Sequence, residues 1–399
     1  MQNFISPEQI SEAVHSLESL SCQVPKKRRV LFFGRESFSD NSKYLYLYML
    51  ENCPHIEVIW CSAERRMIDL LQQNKLPCHY LGEDFNQSAD LLLHAAVAVF
   101  CVNPSQSLLR NLPLFACLHG AKQIQLWHGI SVKRLLMQLI PHLGVADVSL
   151  RIPFYCATRA NAVLSTSPKL DGFWQQVFGN KQMLRAGFPR NEVLLRKARS
   201  HELIGAELKG VLAQAINRKR PKVLIVPTWQ RGKATLLSSP EFLIKILSWA
   251  VAKDVDLWLK PHPLYVYQNI NDQRKIPHLH TLPAGVDIYP HMKRFDLLIT
   301  DYSSIMFDFM LTGKPVMTLD LQPGEHQNFE PDYSLLPGQH DFSYPFTLET
   351  LETTLNTALQ KDHKQAARQA LLEDIFPTPV LEACATLAAG IEREMASVK

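Results

Sequence analysis

The stretch Thr300-Asp301-Tyr302-Ser303-Ser304-Ile305-Met306-Phe307-Asp308-Phe309 decides how the chain reads. It follows Phe295-Asp296-Leu297-Leu298-Ile299, an apolar run with the length and content of a buried strand. Residues 304–311 then carry apolar side chains at helical spacing. Strand, Ser-Ser turn and helix in succession form one unit of an open α/β sheet. Ser303 or Ser304 falls at the helix N-cap, where a hydroxyl satisfies the first free backbone donors. The same turn aims N–H groups and the positive end of the helix dipole at one place, which suits a phosphate. An ordinary capped helix after a buried strand explains this stretch equally well, so the rest of the chain must decide.

Working outward, the same alternation recurs on both sides. In the second half, strands are expected at 222–226, 255–259, 278–281, 296–300 and 315–319, with helices at 241–252, 288–295 and 304–311. In the first half, strands are expected at 30–33, 56–60, 79–81, 97–101, 123–126, 162–165 and 183–184, with helices at 43–51, 65–73, 89–95 and 106–111. Short apolar runs alternating with helical periods indicate parallel βαβ units covered on both faces. A capping box with Pro7 at the first helical position opens an N-terminal helix ending near Leu20. Residues 192–220 read as a helical connector and 348–398 as a helical tail that crosses back.

The expected architecture is therefore α/β, two facing Rossmann-like domains with a helical C-terminal tail. The parts are 1–27 (helix and linker), 28–200 (first domain) and 201–399 (second domain with tail). A chain of 399 residues with 46% hydrophobic and 20% charged residues can bury two cores and is not disordered. The net charge of +4 fits anionic substrates and gives no support for nucleic-acid binding. Eight cysteines occur without CxxC spacing, which argues against a zinc site and for a reducing, cytoplasmic compartment. No signal pattern is seen at the N-terminus, and the longest apolar stretch, 91–102, is shorter than the ~20 residues needed to span a bilayer. The basic run Lys26-Lys27-Arg28-Arg29 reads as a solvated linker, with contact to anionic lipid as the second reading. Residues 131–140, basic then apolar, read as an amphipathic helix that packs on the core; shallow membrane contact is again the second reading.

Four polar clusters directly follow predicted strands: Trp127-His128-Gly129, Thr228-Trp229 with Arg231, Lys260-Pro261-His262-Pro263, and Asp301-Tyr302-Ser303-Ser304. Ligands of open α/β sheets bind at the carboxyl ends of the strands, so all four point toward one cleft. A neutral imidazole at His128 can accept a proton from an attacking hydroxyl. His262, stiffened between two prolines, and Lys260 can donate to phosphate oxygens. There is no Gly-x-Gly-x-x-Gly after the first strand and no Walker A loop, so neither NAD binding nor a P-loop is supported. Asp254-Val255-Asp256 has the spacing of a metal-binding pair but precedes its strand, at the wrong end for the cleft, and reads as a polar turn. The expectation is catalysis with no cofactor and no metal.

These clusters, with Ser39-Asp40-Asn41-Ser42-Lys43-Tyr44 and Gly187-Phe188-Pro189-Arg190-Asn191, occur in an order that resembles the CDP-glycerol glycerophosphotransferase family. That family includes teichoic-acid polymerases and primases, and the resemblance spans about residues 28 to 320. It implies the GT-B fold and transfer of glycerol phosphate from CDP-glycerol to a hydroxyl of a cell-surface polymer or its lipid-linked precursor, with release of CMP. Carried over by position, it makes His128 the base, with His262 beside it in catalysis. Trp127, Gly129, Ile130 and Ser131 would line the same turn. Arg190, Pro227, Thr228, Arg231, Lys260, Pro261, Ser303, Ser304 and Asp308 would bind the donor, Asp308 through a ribose or glycerol hydroxyl. Gln230 stands where the family usually has arginine, which leaves the phosphate contact open between Gln230 and Arg231. The acceptor, a teichoic acid, capsule or other surface glycan, is left open, as is the oligomeric state. A nucleotide-sugar GT-B glycosyltransferase and a CDP-ribitol-dependent transferase are the alternatives, with peripheral membrane contact a further expectation.

Overall fold

The computed structural model describes residues 7–138, 151–228, 236–261, 276–321 and 336–398. Two wholly parallel sheets carry the chain. The first holds β1 (Lys27–Phe33), β2 (Glu57–Ser62), β3 (Cys78–Tyr80), β4 (Ala95–Phe100), β5 (Lys122–Gln125), β6 (Ala162–Ser165) and β7 (Gln182–Arg185), in the order 3-2-1-4-5-6-7. The second holds β8 (Lys222–Val226), β9 (Asp256–Leu259), β10 (Leu279–Thr281), β11 (Leu297–Thr300), β12 (Val316–Leu319) and β13 (Tyr344–Phe346), in the order 10-9-8-11-12-13. Both begin as a Rossmann sheet does, with the order of strand addition reversing between β1 and β4 and again between β8 and β11, while all strands stay parallel.

These segments form strands because both faces are covered. Every residue of β4 is buried, as are the four residues of β9, β11 and β12. Along β11 the faces alternate: Leu297 and Ile299 join a cluster with Val223, Ile225 and Phe242, while Leu298 joins one with Tyr302, Met306 and Phe309. That second cluster continues without interruption into Val30 and Trp60 of the first sheet and Trp127 just beyond β5, so the two units share apolar core. Cys101 and Cys117 lie buried in apolar surroundings, as their sequence context implies.

Several expectations need correction. The basic run is not a free linker: Lys27 opens β1, Arg29 pairs with Glu57 through two bonds of 2.8 and 3.2 Å, and Lys26 bonds the carbonyl of Leu93 at 2.6 Å. Within 131–138 there is no α-helix; the chain bends and closes in a single 3-10 turn. The Ser131 hydroxyl accepts the Lys133 N–H at 3.0 Å, and Leu136 has φ +43, a conformation that an α-helix excludes. The connector breaks into short turns, Glu192–Leu195, Ser200–Leu203 and Val211–Ala215, with Gly205 at φ +77 between them. The helix expected over 288–295 is a 3-10 helix, Tyr289–Arg294, with Pro290 in its first turn. Strand β13 was not anticipated because Pro345 lies inside it; it sits at the sheet edge, where a proline is tolerated. Asp254 and Asp256 are indeed structural, both paired with Arg220.

The tail is helical, Leu351–Gln360, Gln365–Ile375 and Ala383–Ala396, and its last helix returns to the first sheet. There the Cys384 N–H bonds Glu192 at 2.8 Å, and Gln182 at the start of β7 bonds Glu394 at 3.0 Å. Among the described residues, no helix is long and apolar enough to cross a membrane. Ile391 on the returning helix is fully buried. Ile391→Ala is expected to cost about 2–5 kcal/mol in urea unfolding, with both units destabilised together because their core is continuous.

Candidate active site

A cleft of about 450 Å³ opens between the carboxyl ends of the two sheets. Its first wall is the turn after β5. Trp127 holds φ +53, a left-handed conformation costly for a bulky residue. Three bonds keep it there: the Trp127 N–H donates to Gln125 at 2.9 Å, Asn41 donates to the Trp127 carbonyl at 2.8 Å, and Arg190 donates to the His128 carbonyl at 2.9 Å. The His128 ring stacks on Trp127, with centroids 4.3 Å apart. Its Nδ1 lies 3.3 Å from the Cys101 carbonyl, an acceptor only, so Nδ1 carries the hydrogen and donates it. The lone pair of Nε2 is therefore available, and the described residues offer it no partner. Burial, Arg35 and Arg190 push the His128 pKa well below its ordinary 6.5, with the Cys101 bond opposing and Lys133 adding to the shift.

The opposite wall comes from three turns of the second sheet. Thr228 follows β8, Lys260 follows β9, and Ser303 and Ser304 follow β11; with Pro227 and Pro261 they line the cleft. Asp301 ties two of these turns. Its carboxylate accepts the Thr228 N–H (2.9 Å to Oδ2), the Thr228 hydroxyl and its neighbour's N–H at 2.7 Å. Burial raises the Asp301 pKa, although these bonds and Lys133 oppose the shift. Ser304 occupies the N-cap of Ile305–Met310, as expected, but neither serine hydroxyl caps the helix. The N–H groups of Ser303, Ser304 and Ile305 find no acceptor among the described residues. Lys260 donates to the Ala284 carbonyl at 3.2 Å; burial lowers its pKa to about 8, with Asp287 opposing and Arg35 assisting.

The two walls nearly touch at Gly129. Its φ of +128 is open to glycine, and a Cβ there would stand 2.9 Å from Ser304 Oγ and 2.8 Å from Arg190 Nη2. Behind this contact lies a buried polar clasp. Arg190 donates to Asp40 at 2.6 Å and to Asp308 at 2.6 Å; Asn191 and Tyr289 donate to the same Asp308 carboxylate at 2.9 and 2.6 Å. Lys43 and Tyr44, from the first unit, both donate to Asp287 of the second, at 2.8 and 2.7 Å. The side chains of Lys43 and Asp287 are 0% and 1% exposed. Burial opposes the charge of Arg190, but Asp308, Tyr289 and Asp40 raise its pKa well above the ordinary value.

Of the residues named from sequence, Trp127, His128, Gly129, Ser131, Arg190, Pro227, Thr228, Lys260, Pro261, Ser303 and Ser304 meet in the cleft. Ile130 does not: its side chain is buried in the core at 2% exposure. Asp308 stands behind the wall, 1% exposed, with both oxygens already bonded to protein. His262 and Arg231 lie outside the described residues. Sequence reasoning missed Arg35, Asp287 and Tyr289, which also line the cleft, and read Lys133 as part of an amphipathic helix packed on the core when it too lines the cleft. Asp287 and Tyr289 carried a weak signal, being polar residues after a strand of the second sheet.

Two Rossmann-type sheets facing one cleft in this manner define the GT-B fold. A solved structure of the wall teichoic acid polymerase TagF superposes with a TM-score of 0.71, covering 98% of this chain and 94% of that one at 17% identity. A putative UDP-N-acetylglucosamine 2-epimerase from Listeria monocytogenes superposes at 0.57, covering 94% and 98% at 10% identity. The sequence profile of CDP-Glycerol:Poly(glycerophosphate) glycerophosphotransferase matches residues 16–357, and the chain belongs to that family. It is 25% identical to the teichoic acid glycerol-phosphate transferase of Staphylococcus aureus (strain NCTC 8325 / PS 47), over 82% of this chain and 84% of that protein. It is 25% identical to the teichoic acid poly(glycerol phosphate) polymerase of Bacillus subtilis (strain 168) over 77% of this chain, spanning 41% of that longer protein.

The clasp makes Asp308 a cross-unit anchor. Asp308→Ala leaves the buried Arg190 with only one carboxylate, and a loss of about 3–5 kcal/mol in denaturant unfolding is expected. Unchanged stability with a raised donor KM would instead show Asp308 acting on substrate.

Proposed function

We propose that this chain transfers glycerol phosphate from CDP-glycerol to a hydroxyl of a cell-surface polymer or its lipid-linked precursor, releasing CMP. The observation that carries the reading is the placement of His128, with Nδ1 committed to Cys101 and Nε2 without a partner among the described residues, on the wall that abuts the Ser303-Ser304 turn. The acceptor hydroxyl enters beside His128 and gives its proton to Nε2. Its oxygen attacks the glycerol-linked phosphorus, and the bond to CMP breaks. Lys260, the Ser303 and Ser304 hydroxyls and the unbonded N–H groups of that turn receive the diphosphate, so the charge of the transition state is met by fixed donors. No step calls for a metal or cofactor. One relative, a teichoic acid ribitol-phosphate primase of Bacillus spizizenii (strain ATCC 23059 / NRRL B-14472 / W23), is 25% identical over 56% of this chain, so CDP-ribitol is the second donor to compare.

In an assay with each donor and a lipid-linked or polymeric acceptor, CMP release from CDP-glycerol is expected, with no UDP from UDP-sugars. Faster release from CDP-ribitol would reassign the donor. His128→Ala is expected to lower kcat by about 10²–10⁴-fold while CDP-glycerol binding, measured by calorimetry, stays within a few-fold. Unchanged turnover in that variant would remove His128 as the base.

The pH profile carries its own sign. The depressed His128 pKa places the acid limb of kcat/KM below pH 6.5. Lys260, near 8 before a ligand arrives, is held charged by phosphate, so donor binding takes up a proton. Donor affinity is therefore expected to fall as pH rises through about 8, by about tenfold per pH unit for a lysine paired with phosphate. A donor affinity flat between pH 7 and 9 would remove Lys260 from the phosphate site.

A further inference from the structure

Lys133 follows the base by five positions, on the same loop of the first unit. The loop is folded tightly here: the Ser131 hydroxyl accepts the Lys133 N–H at 3.0 Å and lies 3.3 Å from its carbonyl. That fold turns the Lys133 side chain away from the first sheet and across the cleft. Its ammonium stands 4.8 Å from the centroid of the Tyr302 ring, the residue directly before Ser303 and Ser304. Lys133 thus crosses from the base side to the donor side, at the point where the two walls converge.

The other cleft cations already have oxygen partners. Arg35 donates to Asp40 at 3.2 Å, Arg190 to Asp40 and Asp308, and Lys260 to Ala284. Among the described residues the Lys133 ammonium has neither a hydrogen bond nor an ion pair. Asp301, the nearby carboxylate, is occupied by the Thr228 N–H and hydroxyl. Burial lowers the Lys133 pKa to about 8, with Asp301 opposing the shift. An ammonium kept without an oxygen partner and held by an aromatic face is placed for an anion that arrives only with substrate.

We propose that Lys133 contacts a non-bridging oxygen of the phosphoryl group being transferred and stabilises the charge it gathers in the transition state, which makes Lys133 a catalytic residue. The role rests on the donor reading above. In the step, the acceptor oxygen–phosphorus bond forms and the phosphorus–oxygen bond to CMP breaks. The acceptor proton goes to His128 Nε2, and CMP departs with the electron pair. Lys133 contributes charge alone and exchanges no atom. Because it shares a loop with the base, it is fixed relative to the attacking oxygen and not to the nucleotide, so its effect falls on the chemical step.

The test is steady-state CMP release from CDP-glycerol by wild type, Lys133→Met and Lys133→Arg, with unfolding midpoints confirming that each variant is folded. Lys133→Met is expected to lower kcat on the order of 10²–10³-fold, with the donor KM within about threefold. Lys133→Arg keeps the charge and is expected to recover at least about tenfold of that loss. The acid limb is also expected to move to higher pH in Lys133→Met, since the Lys133 charge contributes to depressing His128; the kcat-against-KM split and the recovery in Lys133→Arg are what a merely structural lysine would not produce. A kcat within about threefold of wild type, or a loss carried wholly by KM, overturns the proposal. A wild-type protein that releases no CMP from CDP-glycerol overturns the donor reading itself, and this role with it.

Discussion

The Arg190 guanidinium is the constraint on which the rest of the molecule depends. One group, 4% exposed, holds Asp40 of the first unit, Asp308 of the second and the carbonyl of His128. Burying such a charge is costly, and its pairs return that cost only if every partner is in place. The clasp therefore adds little net stability but strongly specifies geometry. It fixes how the two sheets face each other and, by the same bond network, where the Trp127-His128-Gly129 turn stands. The Lys43–Asp287 pair repeats the device nearby, again between units. With Gly129 pressed between Arg190 and Ser304, the Trp127-His128-Gly129 wall and the Ser303-Ser304 wall are held in contact by polar bonds, on a core that is itself continuous.

The same burial sets the electrostatics of the cleft. Desolvation penalises whichever form is charged, so it pushes His128 toward a neutral base and draws Lys133 and Lys260 down to about 8. The cationic neighbours deepen the first shift, and the acidic neighbours limit the other two. On the proposed reading, such a cleft keeps the His128 imidazole neutral and leaves its lysines poorly compensated until a polyanion enters. Binding the diphosphate would then improve the surroundings of every one of these groups at once. Fixed donors already aimed at the charge need little rearrangement during reaction, which is where such sites gain most of their rate.

The fold was largely legible because parallel strands covered on both faces appear in sequence as short unbroken apolar runs, and 222–226 or 162–165 need no partner to be recognised. The polar clusters after those strands were legible for the same reason, since topology alone sends them to one cleft. What failed depended on distant or local polar bonds. Asp308 looked like a ligand contact because its real partner, Arg190, is 118 residues away in sequence. Residues 131–138 have helical periodicity, yet the Ser131 hydroxyl captures the backbone and bends it. With no helix over 131–138, Lys133 belongs to the cleft instead of to a helix packed on the core. Pro345 concealed β13 because its tolerance depends on an edge position that only the assembled sheet reveals.

The central claim is that His128 awaits substrate as a neutral imidazole with the hydrogen on Nδ1 and Nε2 open. Nitrogen NMR of the ring in selectively labelled protein reads this directly. The account predicts the Nδ1–H tautomer at neutral pH, titrating to the imidazolium only below pH 6.5. An Nε2–H tautomer, or an imidazolium already formed at neutral pH, would contradict it.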